Sequence, residues 1–224
     1  MTEFAWLALS GLGVGLMVGM TGVGGGSLMT PLLIAAFGIP APIAVGTDLA
    51  CAAITKTAAT FAHRAAGTIK VPVVVLLVAG SGPAAIATLV VLANVSVTPQ
   101  GLARTIRLSV AIAVLISVAL LLVRGSIRRW SLHSAALARL RRHRPAATVV
   151  AGALIGAAVA LTSLGAGAIG AAILALLYPE LEPAEIAGTD IAHAVPLTAI
   201  AAAGHAWLGN VDAGLLLALV TGGL

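Results

Sequence analysis

The chain alternates long apolar runs with short breaks that are polar or rich in glycine and proline. A helix needs roughly 20 apolar residues to cross a bilayer, and runs at about 43–63, 71–93, 102–123 and 186–205 reach that length. Shorter runs cover about 4–20, 27–37, 147–162, 166–178 and 211–224. A membrane β-barrel would instead show short alternating segments. The pattern therefore predicts an all-α, polytopic membrane protein built as a helical bundle.

The first break, Thr21 to Pro31, reads TGVGGGSLMTP and separates two runs that are each short for a full span. Backbone groups freed by glycine at membrane depth must be satisfied, so such a break survives only inside protein or beside a polar cavity. We expect a broken or re-entrant hairpin whose tip lies at membrane depth. A tilted helix pair with an ordinary surface loop stays open as the alternative.

The second half of the chain copies the first. GTDLA at 46–50 returns as GTDIA at 188–192, and the glycine-rich break returns at 162–172 with Ala166 in place of Gly25 and Ala172 in place of Pro31. An odd number of crossings separates the copies, so the second copy is expected to be inverted. Inverted repeats with interrupted segments are typical of secondary transporters, whose substrate site lies between the repeats. A helical channel stays open.

The same pattern divides the chain into three parts. Residues 1–123 are expected to form the first transmembrane repeat and a connecting span, 124–146 a basic cytoplasmic loop, and 147–224 the second repeat. The last run is shorter than a span, so we expect the second repeat to be incomplete at its C-terminus.

Composition and charge agree with a membrane location. The chain is 60% hydrophobic and 8% charged, whereas a soluble domain carries about 25% charged residues. The net charge of +5 does not indicate a nucleic-acid partner, because most basic residues lie between Arg124 and Arg144. The positive-inside rule places that segment in the cytoplasm, where it can also contact anionic lipids.

The two glycine-rich breaks are the candidate substrate site. Backbone N–H groups at a helix N-terminus attract anions, glycine lets a ligand approach the backbone, and hydroxyl groups add donors. A small oxyanion would be held by Thr21, Gly24, Gly25, Gly26 and Ser27 from the first break and by Thr162, Gly165 and Gly167 from the second. Close helix packing by small residues is the alternative reading of these glycines.

Two repeated Thr-Asp pairs, Thr47-Asp48 and Thr189-Asp190, lie near the start of their helices. An ionisable residue within a membrane segment is a functional candidate, so the threonines are expected to bind substrate and the aspartates to carry a coupling proton. Capping of the helix N-terminus is the competing role.

Lys56 lies about two turns beyond Asp48, and we expect it to neutralise an anionic substrate; indirect pairing with Asp48 through other groups stays open as the alternative. His193 lies in the same run as Asp190 and could join a proton relay. The histidines and acidic residues show no zinc-ligand spacing, and no set of nucleophile, base and orienting group is present. We therefore expect no catalytic site, metal or cofactor, and hence no enzyme. A membrane-embedded redox protein is disfavoured because Cys51 is the only cysteine.

At the glycine-rich break that ends at Pro31, the AVGTD element at 44–48 and their second-half copies, the chain resembles the TauE/SafE sulfite exporter family. The resemblance implies a permease of the bacterial inner membrane that moves small sulfur-containing anions such as sulfite or organosulfonates. It fixes neither a single substrate nor the direction of transport, and a homodimer stays open. Because the second copy lacks a glycine and the proline, we expect the first break, with Lys56 behind it, to bind the anion more tightly.

Overall fold

The computed structural model describes residues 2–21, 26–94, 98–133 and 140–223, and the prediction of an all-α membrane protein is confirmed. These residues contain no strand. The helices are α1 (Thr2–Thr21), α2 (Gly26–Ala35), α3 (Ala41–Ala65), α4 (Val71–Asn94), α5 (Pro99–His133), α6 (Arg144–Thr162), α7 (Ala168–Leu177), α8 (Pro183–Trp207) and α9 (Ala213–Gly223).

Four helices in the described part are long and apolar enough to cross a membrane. They are α4, residues Gln100–Val123 of α5, α6 and α8. Helices α2 and α7 have only 10 residues each. At 1.5 Å per residue they are about 15 Å long, half of the roughly 30 Å hydrocarbon core. The chain is therefore a multi-pass membrane protein whose described part includes helices, α2 and α7 among them, that are too short to span alone.

The basic segment differs from the predicted loop at both of its ends. Helix α5 continues past Val123 as far as His133, and α6 already begins at Arg144. The residues beyond Val123 include serine, arginine and leucine but no proline, and arginine and leucine favour a helix. The helical conformation therefore continues through residues 124–133, beyond the apolar run that ends at Val123, and the assignment of 124–146 to a cytoplasmic loop stays a prediction.

Backbone chemistry explains where several helices begin. Prolines occupy the first turns of α3, α4, α6 and α8, where a missing N–H costs no hydrogen bond. At the start of α8 the backbone N–H of Glu182 also donates to the Glu185 side chain at 2.9 Å. Lys70, just before α4, forms an ion pair with Glu185 at 2.5 Å. This pair joins the α3–α4 turn to the start of α8.

Glycines allow the closest helix pairs to pack backbone against backbone. Helices α4 and α6 make the most extensive contact, followed by α3 with α8 and α1 with α9. A side chain at Gly80 would collide with the Val149 carbonyl, and one at Gly222 with the Ala8 carbonyl. Small residues at such crossings let membrane helices approach closely.

Helix bounds in the two halves keep one constant spacing. The step from Gly46 to Gly188 is 142 positions (188 − 46), and the same step relates the first and last residues of α2 to those of α7, and of α3 to those of α8. The first residues of α4 and α9 follow the same spacing. The pairs α4–α6 and α1–α9, which are in close contact, are thus equivalent under this correspondence.

Equivalent side chains also make equivalent contacts. The Thr189 hydroxyl accepts a hydrogen bond from the Lys70 backbone N–H at 3.0 Å, and the Thr47 hydroxyl accepts one from the Asp212 backbone N–H at 3.0 Å. Each bond ties the first third of one long helix, α8 or α3, to the turn that follows the other. These matched contacts accompany the sequence repeat, and the inverted orientation of the two halves stays a prediction.

The glycine contact between α4 and α6 gives a test of the packing. We expect Gly80→Ala to lower the free energy of unfolding by about 1–3 kcal/mol, because the added methyl group meets fixed backbone. Gly82→Ala, in the same helix, is the matched control: its nearest neighbour is a flexible Ile200 side-chain atom at 3.7 Å. Thermal unfolding of the two purified variants in detergent measures the difference, and equal unfolding temperatures would contradict this packing.

Candidate functional site

The second glycine-rich break lies buried between α6 and α7. Ser163 to Gly167 separate the two helices, and all of these residues are buried. Ser163 ends α6 in the left-handed conformation with φ of 59°, and Gly167 precedes α7 with φ of 140°. The Thr162 hydroxyl accepts from the Leu164 backbone N–H at 3.1 Å. An irregular backbone thus lies inside the protein, as a helix break at membrane depth requires.

Asp48 connects this break to α2 and α3. Its Oδ2 accepts hydrogen bonds from the Thr30 hydroxyl at 2.6 Å and from the Ser163 hydroxyl at 2.8 Å, and the residue is only 3% exposed. The first turn of α3 has no side-chain cap. The capping role considered for Asp48 is therefore wrong, because its carboxylate is directed at hydroxyl groups from two other segments.

Lys56 reaches the same break from α3. Its Nζ donates to the Ala166 carbonyl at 3.1 Å, and its charge interacts with both Asp48 and Asp190. The expectation that Lys56 lies behind the first break stays a prediction, because Gly24 and Gly25 of that break lie outside the described residues. The flexible lysine stem carries the ammonium to the second break, where a carbonyl freed from helical hydrogen bonding accepts it.

Asp190 lies against the beginning of α7. A side chain at Gly170, in the first turn of that helix, would collide with Asp190 Oδ1. Asp190 is 3% exposed, and within the described residues its Oδ1 has no hydrogen-bond partner. The carboxyl group of Asp190 therefore lies beside the N-terminal turn of α7, near the ammonium of Lys56.

His193 lies one turn after Asp190 in α8 and is fully buried. Its Nε2 is 2.9 Å from the hydroxyl of Ser81 in α4, while Nδ1 has no partner among the residues that the structure describes. The charge of Lys56 also acts on this ring. Asp48, Lys56, Asp190 and His193 are called the charge cluster below.

Comparison with known proteins identifies the family of this chain. The model of the sulfite exporter TauE/SafE family matches residues 7–224. The chain belongs to the TauE/SafE family. It is also 37% identical over 226 residues to the "Probable membrane transporter protein YjnA" of Bacillus subtilis (strain 168), a match that covers 96% of this chain and 86% of that protein. No solved structure matches it.

Family membership makes this a membrane transport protein. The TauE/SafE resemblance found from the sequence is confirmed. A transporter family is consistent with the expectation that the chain is not an enzyme. The described part also holds no group of three His, Cys, Asp or Glu residues that could bind a metal ion.

Thr47 and Thr189, expected to bind substrate, are fully buried in this TauE/SafE protein. Each accepts the backbone hydrogen bond described above, from Asp212 and Lys70 respectively. Their hydroxyl groups thus anchor the turns after α8 and α3. Their part in substrate binding stays a prediction.

The first break is described only at its two edges. Thr21 is the last residue of α1, and Gly26 and Ser27 are the first two of α2. Gly24 and Gly25 lie outside the described residues. The pairing of the two breaks as one site therefore stays a prediction. On the second break, Thr162, Gly165 and Gly167 lie in or beside the segment that receives Lys56.

Three hydroxyl residues of the site were not identified from the sequence: Thr30, Ser81 and Ser163. All three are buried and bind cluster carboxylate or imidazole groups. Thr30 and Ser81 are single hydroxyl residues among apolar or glycine neighbours, whereas Ser163 follows Thr162 at the start of the second break. Isolated hydroxyl residues also occur where the hydroxyl group bonds to a carbonyl of its own helix. The sequence alone therefore does not show that these residues bind the charge cluster.

The bonds to Asp48 give a test of the site. We expect Thr30→Val and Ser163→Ala each to lower the free energy of unfolding by about 1.5–3 kcal/mol, because each removes a hydrogen bond to a buried carboxylate. Thr57→Val is the control, since its exposed hydroxyl bonds only to the Ala53 carbonyl of its own helix. Thermal unfolding in detergent measures all three. Losses no larger than that of Thr57→Val would show that Asp48 does not depend on these donors.

Proposed function

We propose that this protein is a secondary transporter of small sulfur-containing anions, such as sulfite or organosulfonates, across the bacterial inner membrane. The observation that carries the proposal is the contact of Lys56 Nζ with the Ala166 carbonyl in a buried helix break. A lysine in an apolar interior is costly unless its charge has a partner or a task. Here the cation lies beside a helix N-terminus, which also favours negative charge.

The break supplies the rest of an oxyanion site. The first N–H groups of a helix have no acceptor within that helix; in α7 those of Gly170 and Ala171 donate to the Gly165 and Gly167 carbonyls, which leaves the N–H groups of Ala168 and Ile169 to an anion. An anion at this end would meet the Lys56 ammonium, the N–H groups at the start of α7 and the glycine backbone. A tetrahedral or pyramidal sulfur oxyanion, with several acceptor oxygens and a compact shape, suits this set of donors. The family name is consistent with this class of substrate.

The arrangement of the halves supports a carrier. The common 142-residue spacing and the matched contacts of Thr47 and Thr189 support two repeats related by a pseudo-twofold axis in the membrane plane. In such folds the substrate lies at the repeat interface, and one repeat moves against the other. We propose that residues 124–144 lie in the cytoplasm, where the positive-inside rule puts them.

Counterflow in proteoliposomes tests the function. Vesicles loaded with unlabelled sulfite should take up external labelled sulfite faster than empty vesicles, because a loaded carrier reorients more readily than an empty one. Large unitary sulfite currents without this acceleration would show a channel. No sulfite, thiosulfate or sulfonate flux of either kind would contradict the proposed function.

Lys56 gives the matching variant. We expect Lys56→Gln to reduce sulfite counterflow by roughly tenfold or more, the effect of losing a charge-assisted hydrogen bond. Lys70→Gln is the control, because it also removes one positive charge but from an ion pair whose lysine side chain is 40% exposed. Equal counterflow rates for the two variants, at equal protein content per vesicle, would exclude Lys56 from the substrate site.

A further inference from the structure

The two repeated aspartates have different surroundings. Asp48 accepts two hydroxyl hydrogen bonds, from Thr30 and Ser163. Asp190 Oδ1 has no partner within the described residues, although it is equally buried at 3% exposure. An ionised carboxylate in an apolar interior is unfavourable unless it is paired and hydrogen-bonded. Asp48 is therefore equipped to remain charged, and Asp190 is not.

The sequence repeat explains why the two aspartates differ in their hydroxyl donors. The bounds of α2 and α7 follow the 142-residue spacing, so in the structure Thr30 corresponds to Ala172, one position from the sequence-based match of Ala172 with Pro31. Ser163 corresponds to Gly22, because the upstream part of the repeat is offset by one residue. Neither Ala172 nor Gly22 has a hydroxyl group. Asp190 thus lacks both donors that its counterpart has.

A charged Asp190 carboxylate and a bound anion would need the same stabilising groups, which are Lys56 and the first turn of α7. Asp190 lies against the first turn of α7, at Gly170, and interacts with the charge of Lys56. An anion bound between Lys56 and the start of α7 would lie close to the Asp190 carboxyl group. Two negative charges in one buried site disfavour each other strongly, so binding of the anion favours a neutral, protonated Asp190.

We propose that Asp190 is the group that couples proton movement to anion movement, while Asp48 stays ionised and holds Lys56 at the second break. One proton binds to the Asp190 carboxylate from the side on which the anion enters, and both leave together on the other side. No other bond changes. This inference rests on the proposed transport function and assigns the coupling within it to one of three candidate residues.

The other ionisable groups around Asp190 are few. Helix α3 presents Asp48, Lys56, the buried Cys51 and, against Gly188, His63, and α8 itself presents His193. Of the other helices that pack against α8, α4 and α7 contain no charged or titratable residue, and α6 contains only Arg144, which pairs with Glu180. His193 is therefore the main competitor for the coupling proton.

Transport assays in proteoliposomes distinguish the exchange of sulfite from its proton-coupled accumulation. An imposed pH gradient, alkaline inside, should drive accumulation of labelled sulfite by the wild type and by the control Asp212→Asn, whose carboxylate lies outside the cluster and caps the Leu215 N–H. Asp190→Asn should keep sulfite counterflow but lose most of this accumulation. Asp190→Glu, which retains a titratable group, should restore part of it.

The pH dependence of binding provides a second measurement. Sulfite itself titrates near neutral pH, so the half-saturation concentrations of wild type and Asp190→Asn are compared as a ratio at each pH, which removes that common effect. We expect the wild type to lose affinity relative to Asp190→Asn by up to about tenfold per pH unit as pH rises, the limit for one linked proton. A constant ratio would contradict the proposal.

A designed variant covers the case in which Asp190→Asn does not fold. Ala172→Thr places at Asp190 the hydroxyl donor that Thr30 gives Asp48, and should move the pH dependence of accumulation to more acidic values. The proposal is overturned if Ala172→Thr causes no shift, or if folded Asp190→Asn still accumulates sulfite or loses counterflow as well. It is also overturned if His193→Gln abolishes accumulation while Asp190→Asn does not. Absence of counterflow in the wild type would instead contradict the transport function itself.

Discussion

The structure depends on keeping one ammonium and two carboxyl groups inside an apolar bundle. Removing charges from water is unfavourable by several kcal/mol per ion, and mutual attraction offsets this only when the remaining donors and acceptors are satisfied. Lys56 meets the condition through the Ala166 carbonyl, and Asp48 through two hydroxyl groups. These two charged groups lie on α3 and their partners come from α2 and the break before α7, so these three elements must meet at one point. The cluster thereby links the interrupted helices to the long ones.

The small residues of the fold make that meeting possible. Backbone contact at Gly80 and Gly222 brings α4 close to α6, and α1 close to α9. The Thr47 and Thr189 hydroxyl groups then secure the turns that follow the partner helices. Although the two repeats match in their helix contacts, they differ in the charged residues of the site. Lys56 corresponds to Thr198, whose hydroxyl bonds only to carbonyls of its own helix. A nearly symmetric scaffold thus carries an asymmetric charge distribution, which a single bound anion and a single coupled proton would require.

Much of the fold could be predicted from hydrophobic patterning, and the repeated GTD element pointed to the correct carboxylates. The length of α5 could not be predicted from hydrophobicity, because the residues beyond Val123 are less hydrophobic but still favour a helix. The destination of Lys56 could not be predicted either. Its acceptor lies 110 positions away in sequence, and only the packing of α3 beside the second break brings that carbonyl within reach of the ammonium. Thr30 and Ser163 were missed for the same reason, since the sequence does not reveal which helix or segment a hydroxyl side chain faces.

The central claim is that the buried cation and the second break form a site for a sulfur oxyanion. Thermal unfolding of the purified wild-type protein in detergent, measured with increasing sulfite, thiosulfate, methanesulfonate, sulfate and chloride at constant ionic strength, tests it most directly. A ligand at 100 times its dissociation constant stabilises the protein that binds it by about 2.7 kcal/mol. We expect a saturable rise in unfolding temperature with at least one of the sulfur anions and none with chloride. Identical curves for all five salts would contradict it.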